Sequence, residues 1–99
     1  MAAIRWTDEA ILWLSEIHEY ISRDSLDAAQ QVVEGITHKA ETLEIFPQAG
    51  YRFEHQGREL RILLYGHYRI AYLIKPSGDI DILGVYHGAL DLARHLPSL

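Results

Sequence analysis

The chain has 99 residues, of which 48% are hydrophobic, a formal net charge of −5 and no cysteine. That length predicts one domain over residues 1–99, with a core large enough to fold without disulfides. The lack of cysteine excludes disulfides, thiolate metal sites and a cysteine nucleophile, and it fits a reducing cytosol. No signal peptide is visible, and no apolar run approaches the ~20 residues needed to cross a bilayer.

The acidic residues are concentrated in the first half of the chain. Residues 1–50 hold three Lys or Arg and nine Asp or Glu, a net charge of −6, whereas residues 51–99 hold six and five, a net charge of +1. Broad, charge-driven binding of nucleic acid requires several Lys or Arg that displace counterions from phosphates. The charge balance argues against such binding but does not exclude a local basic site.

The first half predicts a short strand followed by a helical hairpin. Residues 2–6 form a brief, mostly apolar segment, and Thr7 is a suitable N-cap for a helix that runs to about Arg23. Ser25 can cap a second helix that ends before Pro47, since proline cannot continue a helix. So short a connection forces the two helices to be antiparallel. Apolar residues recur at spacings of three and four: Ala10, Leu14, Ile17 and Ile21, then Ala29, Val32, Val33, Ile36, Ala40 and Leu43.

Gly35 lies inside the second predicted helix, where glycine costs about 1 kcal/mol relative to alanine. Close approach of the two helices would offset that cost, and a tolerated defect is the alternative.

The second half predicts an antiparallel meander of three strands, residues 61–65, 68–74 and 80–87. These runs are short and rich in β-branched or aromatic side chains, as strands are. Residues 51–54 alternate between apolar and polar and form a candidate edge strand.

A turn centred on Ser77 and Gly78 predicts the register of the last two strands. It pairs Leu73 with Ile82, Ala71 with Gly84, Arg69 with Tyr86, and Tyr68 with His87. The small Ala71 and Gly84 would leave space for the Arg69 guanidinium, supported by an aromatic ring, to face an open groove. The alternative is an arginine that extends out of the sheet and stacks on tyrosine for stability.

The other polar residues form no motif for catalysis or cofactor binding. The six histidines include no HExxH and no close pair with metal-ligand spacing, so we expect no metal and no cofactor. The serines lie in no G-x-S-x-G context and no Gly-rich phosphate loop is present, which argues against conventional hydrolases and nucleotide-binding proteins. His87 ends the last strand, where its ring either emerges toward solvent or makes a structural hydrogen bond.

Four segments, in this order, give the chain a family resemblance. They are WTDEAILWLSEIHEYISRDS near the start, IFPQAG after the second predicted helix, HYRIAYLI in the middle strand and ILGVYHGALDL at the end. Together they resemble the RelE/ParE superfamily, toxins of type II toxin-antitoxin modules that are also known as plasmid stabilization proteins. The resemblance covers nearly the whole chain and implies a small cytoplasmic bacterial protein. The implied α+β fold has a short N-terminal strand, an antiparallel helical hairpin, a β-meander sheet and a short C-terminal tail or helix.

Two activities occur among proteins of this superfamily. RelE-like members are ribosome-dependent endonucleases that cleave mRNA, with basic side chains that stabilise the phosphate and a tyrosine near the C-terminus that assists proton transfer. Arg69 matches an arginine of that branch, but Leu60 and Ile62 stand where the nucleases tend to carry lysines. The last strand ends without a basic cluster, and residues 89–94 lack tyrosine.

ParE-like members instead inhibit DNA gyrase and block replication. The ending VYHGA at residues 85–89, followed by Asp91, resembles that branch. We therefore favour a gyrase inhibitor without catalytic residues; the alternatives are a ribosome-dependent mRNA endonuclease and a non-toxic relative that only binds an antitoxin. By this resemblance, toxicity involves the exposed face of the sheet and residues 86–94. The candidate residues are Arg61, Arg69, Tyr86, His87 and Arg94.

The resemblance also implies a protein partner. In this superfamily an antitoxin tail folds around the toxin, so we expect a toxin-antitoxin hetero-oligomer in which exposed Trp13 or Tyr20 anchors the antitoxin. The alternative is that both aromatic side chains pack the hairpin onto the sheet. Because the first half of the chain carries a net charge of −6, we expect this antitoxin tail to be less acidic than usual.

Overall fold

A helical hairpin precedes a five-stranded sheet in this α+β fold. The computed structural model describes residues 1–99, and the predicted fold class is confirmed. The elements are β1 (Ile4–Trp6), α1 (Asp8–Ser22), α2 (Leu26–Glu41), a 3-10 helix (Thr42–Glu44), β2 (Tyr51–His55), β3 (Arg58–Tyr65), β4 (Tyr68–Ile74), β5 (Ile80–His87) and α3 (Leu92–His95). None of the helices combines the length and apolar character that crossing a membrane requires.

Both long helices begin where a hydroxyl group caps their free amides, and the two predicted N-caps are confirmed. The Thr7 hydroxyl accepts a hydrogen bond from the Ala10 amide at 3.2 Å and donates one to the Ile82 carbonyl at 2.7 Å. The Ser25 hydroxyl accepts from the Ala28 amide at 3.1 Å. Each cap satisfies an amide that has no partner inside its helix. Thr7 in addition ties the start of α1 to β5.

The five strands form one sheet in the order β1-β5-β4-β3-β2. β1 pairs with β5 in parallel, and all other neighbours are antiparallel. β2 lies at one edge of the sheet, as the sequence predicts for residues 51–54. At the other edge β1 covers only the first part of β5, and α1 packs along the strand as well.

A β-bulge in β5 shifts the register within the β4–β5 ladder. The part of the ladder between the start of β4 and the bulge follows the predicted register, which pairs Tyr68 with His87, Arg69 with Tyr86, and Ala71 with Gly84. Beyond the bulge Leu73 pairs with Asp81 and not with Ile82, so that part of the prediction is wrong. Leu83 is the extra residue, and the neighbouring Gly84 is the signal that sequence reasoning missed, because an isolated glycine in a strand often marks a bulge.

The sheet is covered on both sides. The helix face packs against α1 and α2, and its cluster of buried residues is Ala10, Ile36, Ala40, Leu43, Leu63, Ile70, Tyr72, Ile80, Ile82 and Val85. The opposite side, the tail face, is covered by the C-terminal tail, residues 88–99. Its cluster of buried residues is Leu60, Ile62, Ala71, Leu83, Tyr86, Leu92 and Leu96.

Gly35 in α2 makes room for an aromatic side chain of the sheet. A Cβ atom at this position would lie 1.9 Å from the hydroxyl oxygen of Tyr65 and 2.4 Å from its Cζ atom. Tyr65 belongs to β3, so the close approach joins α2 to the sheet and not to α1. The volume of the ring accounts for a glycine inside a helix.

Candidate functional site

The C-terminal tail closes the face of the sheet on which the sequence places the functional residues. Leu92 and Leu96 of the tail are 3% and 7% exposed, and they belong to the same buried cluster as Leu60, Ile62 and Tyr86. Leu60 and Ile62, the two positions where the nuclease branch tends to carry lysines, are therefore core residues beneath the tail.

Hydrogen bonds fasten the end of the tail to the turn between β2 and β3. The Nε2 atom of His55 lies 3.2 Å from the carbonyl oxygen of Pro97, and the amide of Leu99 donates to the Oε1 atom of Gln56 at 3.0 Å. The tail thus spans the sheet from the end of β5 to the β2 edge.

Arg69 holds the start of this tail. Its Nη2 atom donates to the carbonyl oxygen of His87 at 3.2 Å and to that of Leu90. Its Nε atom is buried without a hydrogen-bond partner. The guanidinium is therefore directed at backbone carbonyls of the last residue of β5 and of the tail, whereas the sequence suggested an open groove or a stacked, solvent-facing arginine.

Tyr86 fills the space that the sequence assigned to a groove. The side chain is fully buried, and a Cβ atom on Gly84 would lie 2.1 Å from the Tyr86 hydroxyl oxygen. The ring packs edge-on against Trp13, with 4.8 Å between ring centroids. Burial raises the pKa of the Tyr86 phenol, and the negative charge of Glu9 raises it further. Full burial makes Tyr86 a packing residue, and the raised pKa makes its phenol a weaker proton donor than an exposed tyrosine.

His87 emerges at the end of β5, as the sequence allows. Its side chain is exposed, and its Nδ1 atom accepts a hydrogen bond from the Ala89 amide at 3.2 Å. The ring stacks on His67, with centroids 6.2 Å apart, and meets Tyr68 edge-on at 5.9 Å. Both sequence alternatives thus apply: the ring faces solvent and also makes a local hydrogen bond.

A groove of about 520 Å³ lies between α1 and the ends of β4 and β5. We call it the α1 groove. Six of its eight lining residues are hydrophobic, namely Trp13, Ile17, Tyr20, Tyr68, Val85 and Leu90, and the other two are Glu16 and His87. Tyr20 is 72% exposed, whereas Trp13 is half-buried against Tyr86. The structure thus brings together Trp13, Tyr20 and His87, which the sequence named separately.

Sequence reasoning missed Glu16, Tyr68 and Leu90 as groove residues. Glu16 lies three residues after Trp13 and four before Tyr20, the spacing that places side chains on one stripe of a helix. Tyr68 faces His87 in the predicted register. Both could therefore have been found from the sequence, whereas Leu90 enters the groove through the fold of the tail.

Arg61 lies apart from the other candidate residues. It pairs with Tyr72 on the helix face, and its Nη1 atom donates to the carbonyl oxygens of Gln48 at 3.1 Å and Gly50 at 2.7 Å. The Tyr72 hydroxyl donates a hydrogen bond of 2.7 Å to the carbonyl oxygen of Pro47 in the same loop. Arg61 thus holds the loop before β2, on the side of the sheet opposite Arg69.

Arg94 is exposed on α3, away from the α1 groove. No three His, Asp or Glu side chains come close enough to hold a metal ion together. The five residues named for toxicity therefore do not converge: two support backbone segments, one is buried and two are exposed.

The family model described as "ParE toxin of type II toxin-antitoxin system, parDE" matches residues 4–92. This chain belongs to the ParE toxin family. The curated protein named "Putative toxin Y4kP" from Sinorhizobium fredii is 37% identical to it over 84 residues, which are 85% of each chain.

Two solved structures share the fold of this ParE family member. A structure described as the chromosomal ParDE system from P. aeruginosa aligns with a TM-score of 0.74 at 23% identity, over 88% of this chain and 96% of that chain. A toxin-antitoxin complex, RelBE2 from Mycobacterium tuberculosis, aligns with a TM-score of 0.68 at 19% identity, over 87% and 96%. The predicted RelE/ParE superfamily is confirmed, and the protein is a toxin-family member of type II toxin-antitoxin systems.

Proposed function

We propose that this ParE family protein is a toxin that inhibits DNA gyrase by binding it, and that a cognate antitoxin neutralises the toxin. The family supports a toxin, and the tail face supports binding over catalysis. The observation that carries this choice is the position of Arg69. Its guanidinium is committed to two backbone carbonyls, and beside it the face holds the buried Leu60, Ile62 and Tyr86.

A ribosome-dependent nuclease needs several side chains that this face does not offer. Cleavage of mRNA requires cations free to stabilise a phosphate and a group that exchanges a proton near neutral pH. Here Tyr86, the tyrosine on this face, is buried with a raised pKa, and the tail covers Leu60 and Ile62. Binding to a protein target needs neither group.

The target can be tested with the purified protein. We expect it to inhibit gyrase supercoiling and to increase the amount of gyrase-cleaved DNA, while primer extension on translated mRNA shows no new cleavage. Cleavage of mRNA in the ribosome without any effect on gyrase would support the nuclease alternative. No effect in either assay, together with normal growth of cells that express the chain, would support a non-toxic relative.

His87 and Arg94 are the named toxicity residues that are exposed, so we propose that they contact the target. Arg94→Ala should weaken gyrase inhibition without unfolding the protein. Arg23→Ala removes an exposed arginine at the end of α1 and serves as the matched control. Equal loss of inhibition in both variants would point to net charge and not to a contact at Arg94.

The α1 groove is the site that we propose for the antitoxin. It is apolar, it contains both anchors named from the sequence, and its exposed Tyr20 offers a ring to a partner. The two similar structures are a ParDE system and a RelBE2 complex, which supports an antitoxin partner here. Glu16 adds a negative charge to the groove, so a tail rich in Asp and Glu would be repelled.

The antitoxin site can be tested by replacing one exposed ring. Tyr20→Ala should weaken binding of the antitoxin encoded beside this gene by tenfold or more, as expected for an interface anchor. Leu12→Ala is the matched control, because Leu12 is on the same helix, is 58% exposed and does not line the groove. Calorimetric titration of the antitoxin into each variant gives the two affinities. Equal affinities would place the antitoxin elsewhere.

A further inference from the structure

β2 leaves one edge of the sheet open. It is the last strand in the order, and it pairs only with β3. Proteins usually protect such an edge with charged side chains, lysine above all, with proline, with a very short strand or with a covering segment. The strand YRFEH at Tyr51–His55 has five residues and contains no proline and no lysine, and its two charged residues, Arg52 and Glu54, have opposite signs.

The turn between β2 and β3 shows which backbone groups of β2 point outward. Gln56 and Gly57 form a two-residue turn with φ angles of 53° and 76°, flanked by the pair His55 and Arg58. In such a hairpin the flanking pair is hydrogen-bonded, and bonded pairs alternate with unbonded ones along the ladder. The amides and carbonyls of Arg52 and Glu54 therefore face away from β3.

The same two residues carry charges that β3 balances incompletely. Arg52 faces Arg61, and its Nε atom forms an ion pair with Glu59 at 3.2 Å. Glu54 faces Glu59, another carboxylate, and has no cation within ion-pair distance. Like charges directly opposite each other destabilise a sheet. A positive side chain beyond the open edge would offset the repulsion between Glu54 and Glu59.

We propose that β2 pairs with β2 of a second copy of this chain, antiparallel and with the twofold axis at Phe53. This register places Arg52 of each copy opposite Glu54 of the other. Each such pair exchanges two outward-facing backbone hydrogen bonds, so the dimer gains four bonds and two ion pairs. Shifting the register by two residues would place Arg52 opposite Arg52, or Glu54 opposite Glu54. Charge therefore selects the symmetric register.

Aromatic side chains support the same arrangement on the tail face. Phe53 would lie opposite Phe53 in an unbonded pair, the closer of the two kinds of cross-strand neighbour. Tyr51, which is 47% exposed, would lie opposite His55. The two copies would form one continuous ten-stranded sheet.

The contact is small and leaves the other surfaces free. Pairing through a five-residue strand buries less than the ~1,200 Å² that stable interfaces reach, so we expect a dimer that forms only at high micromolar concentrations. The α1 groove lies along β4 and β5, toward the edge of the sheet opposite β2. Antitoxin binding and dimerisation therefore use separate surfaces, and either can fail without the other.

Charge reversal gives a test with an internal control. Wild-type protein, made by cell-free synthesis, should show concentration-dependent dimerisation in sedimentation velocity between 10 and 500 µM. Arg52→Glu and Glu54→Arg should each weaken dimerisation by roughly tenfold or more, since two attractive pairs become repulsive. An equimolar mixture of the two variants should dimerise again, because both pairs across that heterodimer are attractive. Restored association in the mixture cannot come from misfolding of either variant.

A second variant tests the backbone pairing. Glu54→Pro removes an amide that faces outward, so the hairpin keeps its bonds to β3 while the dimer loses two of four bonds. Circular dichroism should show that this variant is folded, and sedimentation velocity should show that it is a monomer. A wild-type protein that stays monomeric at 500 µM would overturn the proposal. A strand of another protein would then be the partner to test at the β2 edge. Single variants that dimerise like the wild type, or a mixture that does not recover, would also overturn it.

Discussion

The two faces of the sheet are buried by different means. The helix face lies under two capped helices of 15 and 16 residues. The tail face lies under a tail whose only helix has four residues, with Leu92 and Leu96 as its buried side chains. Helices bring many apolar side chains to a sheet with their backbone groups satisfied, whereas a tail depends on a few anchors. The helix face should therefore set the stability of the fold, and the tail face should be easier to open.

The largest expected effect is on the helix face. Ile36 of α2 is fully buried within its cluster, so Ile36→Ala should lower the free energy of unfolding by about 3 to 4 kcal/mol, through lost burial and a cavity between two rigid layers. Urea unfolding followed by circular dichroism measures the change. Gln31→Ala, on the exposed side of the same helix, is the control and should change little. A loss below about 1 kcal/mol would mean that the hairpin does not dominate the stability.

A smaller effect is expected on the tail face. Leu96→Ala should cost about 1 to 2 kcal/mol, less than a central leucine, because a surface tail can settle into the space. Trypsin provides a second measurement, since Arg94 is exposed in the tail. Cleavage after Arg94 should become faster in Leu96→Ala, while Ser98→Ala leaves the rate unchanged. If cleavage at Arg94 speeds up only together with global unfolding, the tail does not open independently.

The smallest effect is electrostatic and lies where β5 meets β1. Arg5 holds the Asp81 carboxylate with contacts of 3.0 and 3.2 Å, and Lys75 lies 3.5 Å away. The hydrogen bond from Arg5 lowers the pKa of Asp81 below its ordinary value of 3.8, and Lys75 lowers it further. Because the folded-state pKa is the lower one, this contribution is present above about pH 4 and is lost as the pH falls through the folded-state value.

Asp81→Asn isolates that contribution. The difference in unfolding free energy between the wild type and Asp81→Asn should be largest near pH 7 and shrink as the pH falls toward 3. Urea titrations at several pH values give the curve. A difference that stays constant over this range would mean that the ion pair does not contribute to the acid sensitivity.

The candidate site could be predicted from the sequence only in part. Trp13 and Tyr20 were named as antitoxin anchors from the family resemblance, and His87 was named from its position at the end of a strand. All three line one groove. The open space beside Gly84 was expected from residue sizes, but Tyr86 fills it. Side-chain size tells how much room a residue leaves, and only the packed structure tells which neighbour uses that room.

Arg61 and Arg69 show the same limit for charged residues. Both lie in strands of the meander, and the sequence grouped them on one functional face. Their side chains emerge on opposite sides of the sheet, and each binds backbone carbonyls of a loop that is distant in sequence. A sequence shows that a cation is present, but loops that fold back decide whether the cation is free.

By itself, the sequence determined the elements, their caps, the meander and the superfamily, because these depend on local spacing and on short segments. Tertiary structure decided the bulge at Leu83, the space above Gly35 and the covering of Leu60 and Ile62 by the tail. Each of these depends on contacts between residues far apart in the chain, which local periodicity does not encode. The open β2 edge depends on both the sequence and the tertiary structure. The sequence determines its charge pattern, and the order of strands in the sheet determines its exposure.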